Sequence, residues 1–430
     1  MADRDVLPID GNEVPMISRR VFLKDGAFAL VSLGFAPSFL ARTAFAEGRA
    51  ARAKQLIAIF QRGAVDGLSV IVPFAEDDYY RARPSIAIAR PGTGDNAAID
   101  LDGFFGFNPR LQPLRRFWDA HQLAIVHACG SPDTTRSHFD AQDYMETATP
   151  GVKSTPDGWL NRYLRARKIE STTPFRAVAL AGQIPRMLQG PAPTLAFSQI
   201  AQFDIRAGLA TEPVNASFEA LYASAADRLL NGTGREAFDA IRMMKTTDPA
   251  HYQAENGADY PGSPFGQALK QIAQLVKADV GMEIAFADVS GWDTHVNQGS
   301  AQGQLATRLD DFSRGLAALV TDLGDRMADI VLLTMSEFGR AVGENGNRGT
   351  DHGHGNAMIV IGGGVRGGRV YGKWPGLAPD RRFEGRDLAV TTDFRDVFGE
   401  IVVRHLGVQD PKPIFPGYAI SETRFPGLLA

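Results

Sequence analysis

The sequence predicts an α/β protein, a three-layer α/β/α sandwich around a mostly parallel sheet, and three observations carry that expectation. Short, continuous apolar runs recur along the chain, as strands buried on both faces of a parallel sheet require. Stretches with helical periodicity separate them. Polar, glycine-rich segments follow the runs, at the carboxyl ends where open α/β sheets gather ligands.

The elements follow in order. Residues 51–54 read as a linker, and the run 55–60 (Gln55-Leu-Ile-Ala-Ile-Phe60) is the first strand. A turn with glycines at both ends, Gly63-Ala-Val-Asp-Gly67, leaves it. Residues 80–109, rich in Gly, Pro, Asp and Asn, are expected to run over the surface. Leu111, Leu114, Phe117 and Trp118 then recur at helical spacing before a second strand at 122–128. Helices are expected at 139–148, 215–244, 265–277 and 302–323, and further buried strands at 175–180, 283–287, 329–334 and 357–361. No internal repeat and no composition break divides this part of the chain.

The first 46 residues read differently. Ser18-Arg19-Arg20-Val21-Phe22-Leu23-Lys24 sets two arginines before an apolar pair and a lysine, an apolar stretch follows at 27–40, and Ala44-Phe45-Ala46 supplies a small-x-small cleavage site. That order is a twin-arginine export signal. Pro37 and the short apolar length argue against a permanent membrane span. The expected organisation is therefore a signal peptide at 1–46 and one domain at 47–430. The twin-arginine translocase is the expected partner during export, and the periplasm or cell envelope the destination. Cys129 is the only cysteine, so no intramolecular disulfide supports the fold in an oxidising compartment.

Composition excludes some classes. Hydrophobic content of 44% and charged content of 22% are globular values. The net charge is −4, with no basic tract of the kind that binds nucleic acid.

The polar segments after the strands carry the candidate chemistry. Asp66 follows the first, Asp133-Thr-Thr-Arg-Ser-His-Phe-Asp140 the second, and Gly291-Trp-Asp-Thr-His295 the run at 283–287. Met335-Ser-Glu-Phe-Gly-Arg340 and Gly349-Thr-Asp-His-Gly-His-Gly355 follow the run at 329–334. Asp66, Asp293, His295, Glu337, Asp351, His352 and His354 thus approach one edge, and carboxylates with imidazoles are donors for zinc, manganese or iron. An extended backbone turns the side chains of Asp293 and His295 to the same side. Each residue also has a purely structural reading. Asp66 before glycine suits a turn, His138 suits a helix cap, and 351–355 suits a hydrogen-bonded loop. His127, inside a strand, reads as a core residue, while His121, His251 and His405 receive no role.

Gly-Trp-Asp-Thr-His (291–295), Thr-Met-Ser-Glu-Phe-Gly-Arg (334–340), Thr-Asp-His-Gly-His-Gly (350–355) and Ser-His-Phe-Asp-Ala-Gln (137–142) together resemble the domain-of-unknown-function-1501 family. The resemblance covers essentially the whole mature chain. It implies kinship with the alkaline phosphatase and sulfatase superfamily, hence an alkaline-phosphatase-like sandwich. It also implies one or two metal ions (zinc, manganese or calcium) and a hydroxyl nucleophile acting on phosphate or sulfate esters. On that resemblance Asp66 is the first metal-binding Asp, Ser137 or Thr135 the nucleophile, and Arg136 a partner for ester oxygens. Asp293, His295 and either His352 or His354 form one metal site, with His138 and Arg340 on the substrate. One departure stands out: Ser336-Glu337 occupies the place of a customary Asp-His pair, so Glu337 supplies an oxygen where an imidazole is lost.

Two functions are expected from these residues. One is an exported metal-dependent hydrolase of small anionic phosphate or sulfate esters. The other is a non-catalytic envelope binding protein that keeps the fold and a degenerate site.

Overall fold

Six apolar runs become six strands of one sheet, because runs so free of polar side chains leave neither face for water. The computed structural model describes residues 30–32, 53–167, 173, 175–200 and 252–429. The helix expected at 215–244 lies outside these residues, as does the expected export segment apart from 30–32.

In chain order the strands of the main sheet begin with β1 (Leu30–Ser32) and β2 (Gln55–Arg62). The short strands β3 (Ile71–Val72), β4 (Ile99–Asp100) and β5 (Gly106–Phe107) form a separate antiparallel sheet, of which β4 and β5 lie in the segment 80–109 expected to run over the surface. The main sheet continues with β6 (Leu123–Gly130), β7 (Ala177–Leu180), β8 (Thr194–Ala196), β9 (Ile284–Ser290) and β10 (Ile330–Met335). It ends with β11 (Asn356–Gly362), β12 (Arg369–Tyr371) and β13 (Thr392–Asp393). The spatial order is β1-β8-β7-β9-β2-β10-β11-β6-β12, with β13 also on β6. The run from β8 through β10 is parallel, whereas β11 is antiparallel to both β10 and β6. The sheet is therefore mixed but mostly parallel.

Alternate residues of each strand enter opposite cores. Ile57, Ile59, Leu332 and Ile359 face one side, where α6 (Pro264–Lys277) and α7 (Gln304–Leu323) contribute Leu269, Ile272, Leu309 and Phe312. Leu56, Ala58, Leu333 and Val360 face the other. That side is closed by α4 (His138–Thr147), α5 (Trp159–Ala166) and α8 (Phe394–Glu400), through Met145, Trp159 and Phe398. Helices on both faces make three layers, as expected. Burying each such side chain contributes about 1.5–3 kcal/mol relative to leaving it exposed. Among the described residues no helix is long and apolar enough to cross a membrane.

Register sets the site. In the parallel ladders Phe60 pairs with Met335 and Arg62 with Ser290, so the chain leaves β2, β9 and β10 at one edge. Asn356 at the start of β11 pairs with Cys129 near the end of β6. Antiparallel pairing thus brings the segment before β11 and the segment after β6 to that same edge.

Candidate metal centre

Each side chain at this edge is placed by a simple local device. Ser137 caps α4, its hydroxyl accepting the Asp140 amide at 3.5 Å, which makes His138 the first helical residue. Ser336 and Glu337 directly follow β10. Gly339 and Gly353 are pressed together, with the Gly353 amide donating to the Gly339 carbonyl at 2.8 Å and a bridge pairing Arg340 with His352. The bridge presents the His352 ring beside the chain leaving β10.

Three imidazoles and a carboxylate meet there. Nε2 of His352 lies 3.0 Å from Nε2 of His138 and 2.9 Å from Nε2 of His295. Oδ1 of Asp293 lies 3.2 Å from His352 Nε2 and 2.9 Å from His295 Nε2. The ligand atoms of His138, Asp293 and His352 all fall within 4.8 Å of one another.

The other nitrogen of each ring decides where its proton is. His138 Nδ1 is 2.8 Å from Glu337 Oε1, His352 Nδ1 is 2.8 Å from the Arg136 carbonyl oxygen, and His295 Nδ1 is 3.3 Å from Asp351 Oδ1. Carbonyls and ionised carboxylates only accept, so Nδ1 carries the proton in every ring. With a single proton on Nδ1, a ring turns an Nε2 lone pair toward the others. Lone pairs repel at 3 Å unless positive charge lies among them. Burial pushes His352 below its ordinary pKa, which disfavours a second proton on the central ring. A divalent ion satisfies the arrangement, since neutral imidazoles with one carboxylate are the donors zinc, manganese and iron accept. The acceptors on Nδ1 match the outer partners that fix metal-binding histidines elsewhere.

Electrostatics supports the carboxylates in ionised form. Burial works against charge on Asp293, but the Arg340 hydrogen bond at 2.5 Å and its charge outweigh that and hold the carboxyl below its usual range. Glu337 is fully buried, and burial opposes its charge too. Bonds from His138, Gln142 and the backbone outweigh it and keep the carboxyl low. Asp351 is held low chiefly by the Asn345 amide. His138 is raised, first by its bond to Glu337.

The residues expected from sequence divide sharply. Asp293, His295 and His352 come together. His138, expected on the substrate, stands with them instead. Glu337 lies one step out: Oε1 accepts from Gly63 N, His138 Nδ1 and Gln142 Nε2, each at 2.8 Å, and Oε2 from Ser336 Oγ at 3.0 Å. It orients a ring rather than facing the cluster. Asp351 likewise serves His295, and Asn345 holds it at 2.9 Å.

Asp66 is elsewhere engaged. Its oxygens take Arg83 Nη1 and Nη2 at 2.6 and 2.9 Å, Ser69 Oγ at 2.7 Å and Gln298 Nε2 at 2.7 Å. Three of these donors meet on Oδ2 and one on Oδ1, so the carboxylate is committed to this buried network. His354 is buried and stacks on Phe383 at 4.4 Å. Arg340 is buried beneath Asp293 and donates to the Gly63, Ala64, Trp292 and Thr350 carbonyls. The Arg136 guanidinium pairs with Glu384 and Asp387, so only its carbonyl reaches the rings. Ser137 is exposed, and Thr135 Oγ1 accepts the Ser137 amide at 3.2 Å.

Sequence reasoning missed His138 as a member of the cluster and Gln142 and Asn345 as orienting groups. One signal pointed to the first two: residues i and i+4 of a helix share a face, so His138 and Gln142 approach Glu337 together.

No curated protein matches this sequence. The family model described as "Protein of unknown function (DUF1501)" matches residues 120–395. That span is more than half of the chain and carries all three imidazoles, Asp293 and the groups that orient them, while leaving β2 and Asp66 outside. The chain belongs to the DUF1501 family.

Proposed function

We propose that the protein is an exported, metal-dependent hydrolase of phosphate or sulfate esters, related to the alkaline phosphatase and sulfatase superfamily. The observation that carries the metal is the convergence of three Nε2 lone pairs on Asp293 with every Nδ1 proton already bound elsewhere. His138, His295, His352 and Asp293 would hold the ion. The imidazole-rich set favours zinc, manganese or iron and disfavours calcium, which prefers oxygen ligands throughout.

A divalent ion bound there supplies charge stabilisation for the ester oxygens. The chain's own residues do the rest. Ser137 is the proposed nucleophile, with Thr135 as the alternative. Ser137 is exposed, next in sequence to His138, and follows the residue whose carbonyl anchors His352. Among the described residues its only hydrogen bond as an acceptor is the 3.5 Å cap contact, which leaves the oxygen available. Attack joins Oγ to phosphorus or sulfur, the bond to the alcohol oxygen breaks, and the alcohol departs with that electron pair and one proton. Water then cleaves the seryl ester, releasing the acid and restoring the hydroxyl.

One observation favours the second reading, a non-catalytic binding protein. Asp66, expected as a metal ligand, is committed to Arg83, and Arg136, expected on the ester oxygens, to Asp387 and Glu384. A panel of aryl phosphate and sulfate esters separates the readings. Hydrolysis by the wild type that disappears in Ser137→Ala with metal retained supports the hydrolase. Turnover that survives both Ser137→Ala and Thr135→Ala contradicts the nucleophile, and no turnover by the metal-loaded wild type contradicts the hydrolase.

A further inference from the structure

One face of α4 is clamped to the end of β2. His138, Gln142 and Glu146 stand four residues apart along that helix and so share a face. Arg62, the last residue of β2, meets two of them: Nη1 donates to Gln142 Oε1 and to Glu146 Oε1, each at 2.9 Å. Its Nε donates to Asp288 Oδ2 on β9 at 2.6 Å, and the guanidinium lies 4.5 Å from the centre of the Phe60 ring. Glu146 is buried, and its second oxygen accepts the Met187 amide at 2.9 Å. Two carboxylates and a ring thus hold the guanidinium in one place.

A guanidinium donates and never accepts, whereas a glutamine amide can present either end. The end that Gln142 turns to Arg62 is therefore its carbonyl oxygen. Its nitrogen is left facing Glu337 Oε1 at 2.8 Å, and the same oxygen lies 2.8 Å from His138 Nδ1. A chain of hydrogen bonds runs from Asp288 and Glu146 through Arg62, Gln142 and Glu337 to the His138 ring. Its direction is set at Arg62, which is charged throughout, and not by the protonation of the rings. Among the described residues Arg62 bonds to none of the four groups assigned to the ion.

We propose that Arg62 is a positioning residue of the metal centre: it fixes the direction of the Gln142 amide, which holds Glu337 and, through it, the His138 ring. This inference rests on the metal centre described above and not on turnover of any ester.

The test measures the zinc affinity of chelator-stripped protein by competition with a chromophoric chelator, beside the visible spectrum of the cobalt(II)-loaded protein. Gln142→Leu removes the amide and leaves the ion pairs of Arg62 in place. Arg62→Met removes the donor, and Arg62→Lys keeps a cation that only donates. Arg176→Met is the control: it strips Glu283, a carboxylate as buried as Glu146, of the Arg176 guanidinium at the opposite edge of the sheet. Gln142→Leu and Arg62→Met are expected to bind zinc at least about tenfold more weakly and to shift the cobalt bands, as loss of a group behind a ligand does. Arg62→Lys should recover most of that affinity. Arg176→Met should lose stability yet keep the wild-type affinity and spectrum. Wild-type affinity in Gln142→Leu, or an equal loss in Arg176→Met, overturns the proposal. Should Arg62→Met fail to fold, Gln142→Leu decides alone. A wild type that binds neither zinc nor cobalt contradicts the metal centre itself, which sets that failure apart from failure of this inference.

Discussion

Asp66 and Arg83 share a fully buried, bidentate ion pair, with Ser69 and Gln298 also donating to Oδ2 of the carboxylate. Removing one partner of such a pair leaves an uncompensated charge and costs about 3–5 kcal/mol. Asp66→Ala is expected to lose stability of that order in a denaturant titration, while its folded fraction keeps the wild-type metal content. Asp66→Asn, which retains shape, should lie between the two in stability. A stable Asp66→Ala protein stripped of metal would show that Asp66 is a ligand after all. The role of Asp66 was not legible in the sequence. An Asp after the first strand reads as a ligand until the partner 17 residues later turns out to be inside the fold. His354 misled for the opposite reason: two histidines around a glycine look alike on paper, and only burial against Phe383 separates His354 from His352. Asp293, His295 and His352 were legible because their loops leave the strands at one edge.

Elements hold the site through close backbone approach. A Cβ on Gly353 would lie 2.2 Å from the carbonyl carbon of Arg340, so the bridge that carries His352 exists only with glycine there. Gly63, at φ +112°, turns the chain so that its amide meets Glu337. Gly353→Ala is expected to cost about 1–3 kcal/mol through overpacking. It should also lower metal affinity by at least about tenfold, measured by competition with a chromophoric chelator. Gly364→Ala, where a Cβ meets nothing within 4 Å, is the matched control and should change neither. Equal affinities in the two variants would contradict the placement of His352 by this contact. At this scale the sequence was most informative for long apolar runs, and all six expected strands are present. The strands β8, β12 and β13 were missed because they are two or three residues long. The helices α5 and α8 were missed because they are short, at eight and seven residues. Strand direction was also hidden: nothing local in β11 distinguishes it from its parallel neighbours, and its antiparallel pairing is fixed by the chain's return between β10 and β6.

The whole molecule carries a built-in sensitivity to acid. His127 and His405 are buried as neutral rings, and burial lowers each to about 4 from an ordinary 6.5. His127 sits within β6 with Nε2 at 3.1 Å from the Ile71 carbonyl, and His405 Nε2 is 2.8 Å from that of Gln55. A depressed folded pKa means that the unfolded chain takes up protons first. Stability is therefore complete above about pH 6.5, falls as pH drops from 6.5 toward 4, and levels below that window as far as these two groups are concerned. Each contributes up to about 3 kcal/mol. Urea midpoints of metal-free protein measured across this range should show the fall, and His405→Gln should reduce it by roughly one histidine's share. A profile flat through the window would contradict the neutral, buried assignment.

The central claim is that His138, His295, His352 and Asp293 hold a divalent metal ion, and metal content tests it most directly. Protein purified without chelators or a metal-affinity tag would be measured by mass spectrometry beside Asp293→Ala and His352→Ala variants. About one zinc, manganese or iron per chain is expected in the wild type, lost in both variants while their folds persist by circular dichroism. A wild type that stays metal-free after incubation with each of these ions, or variants that retain the full complement, would contradict it.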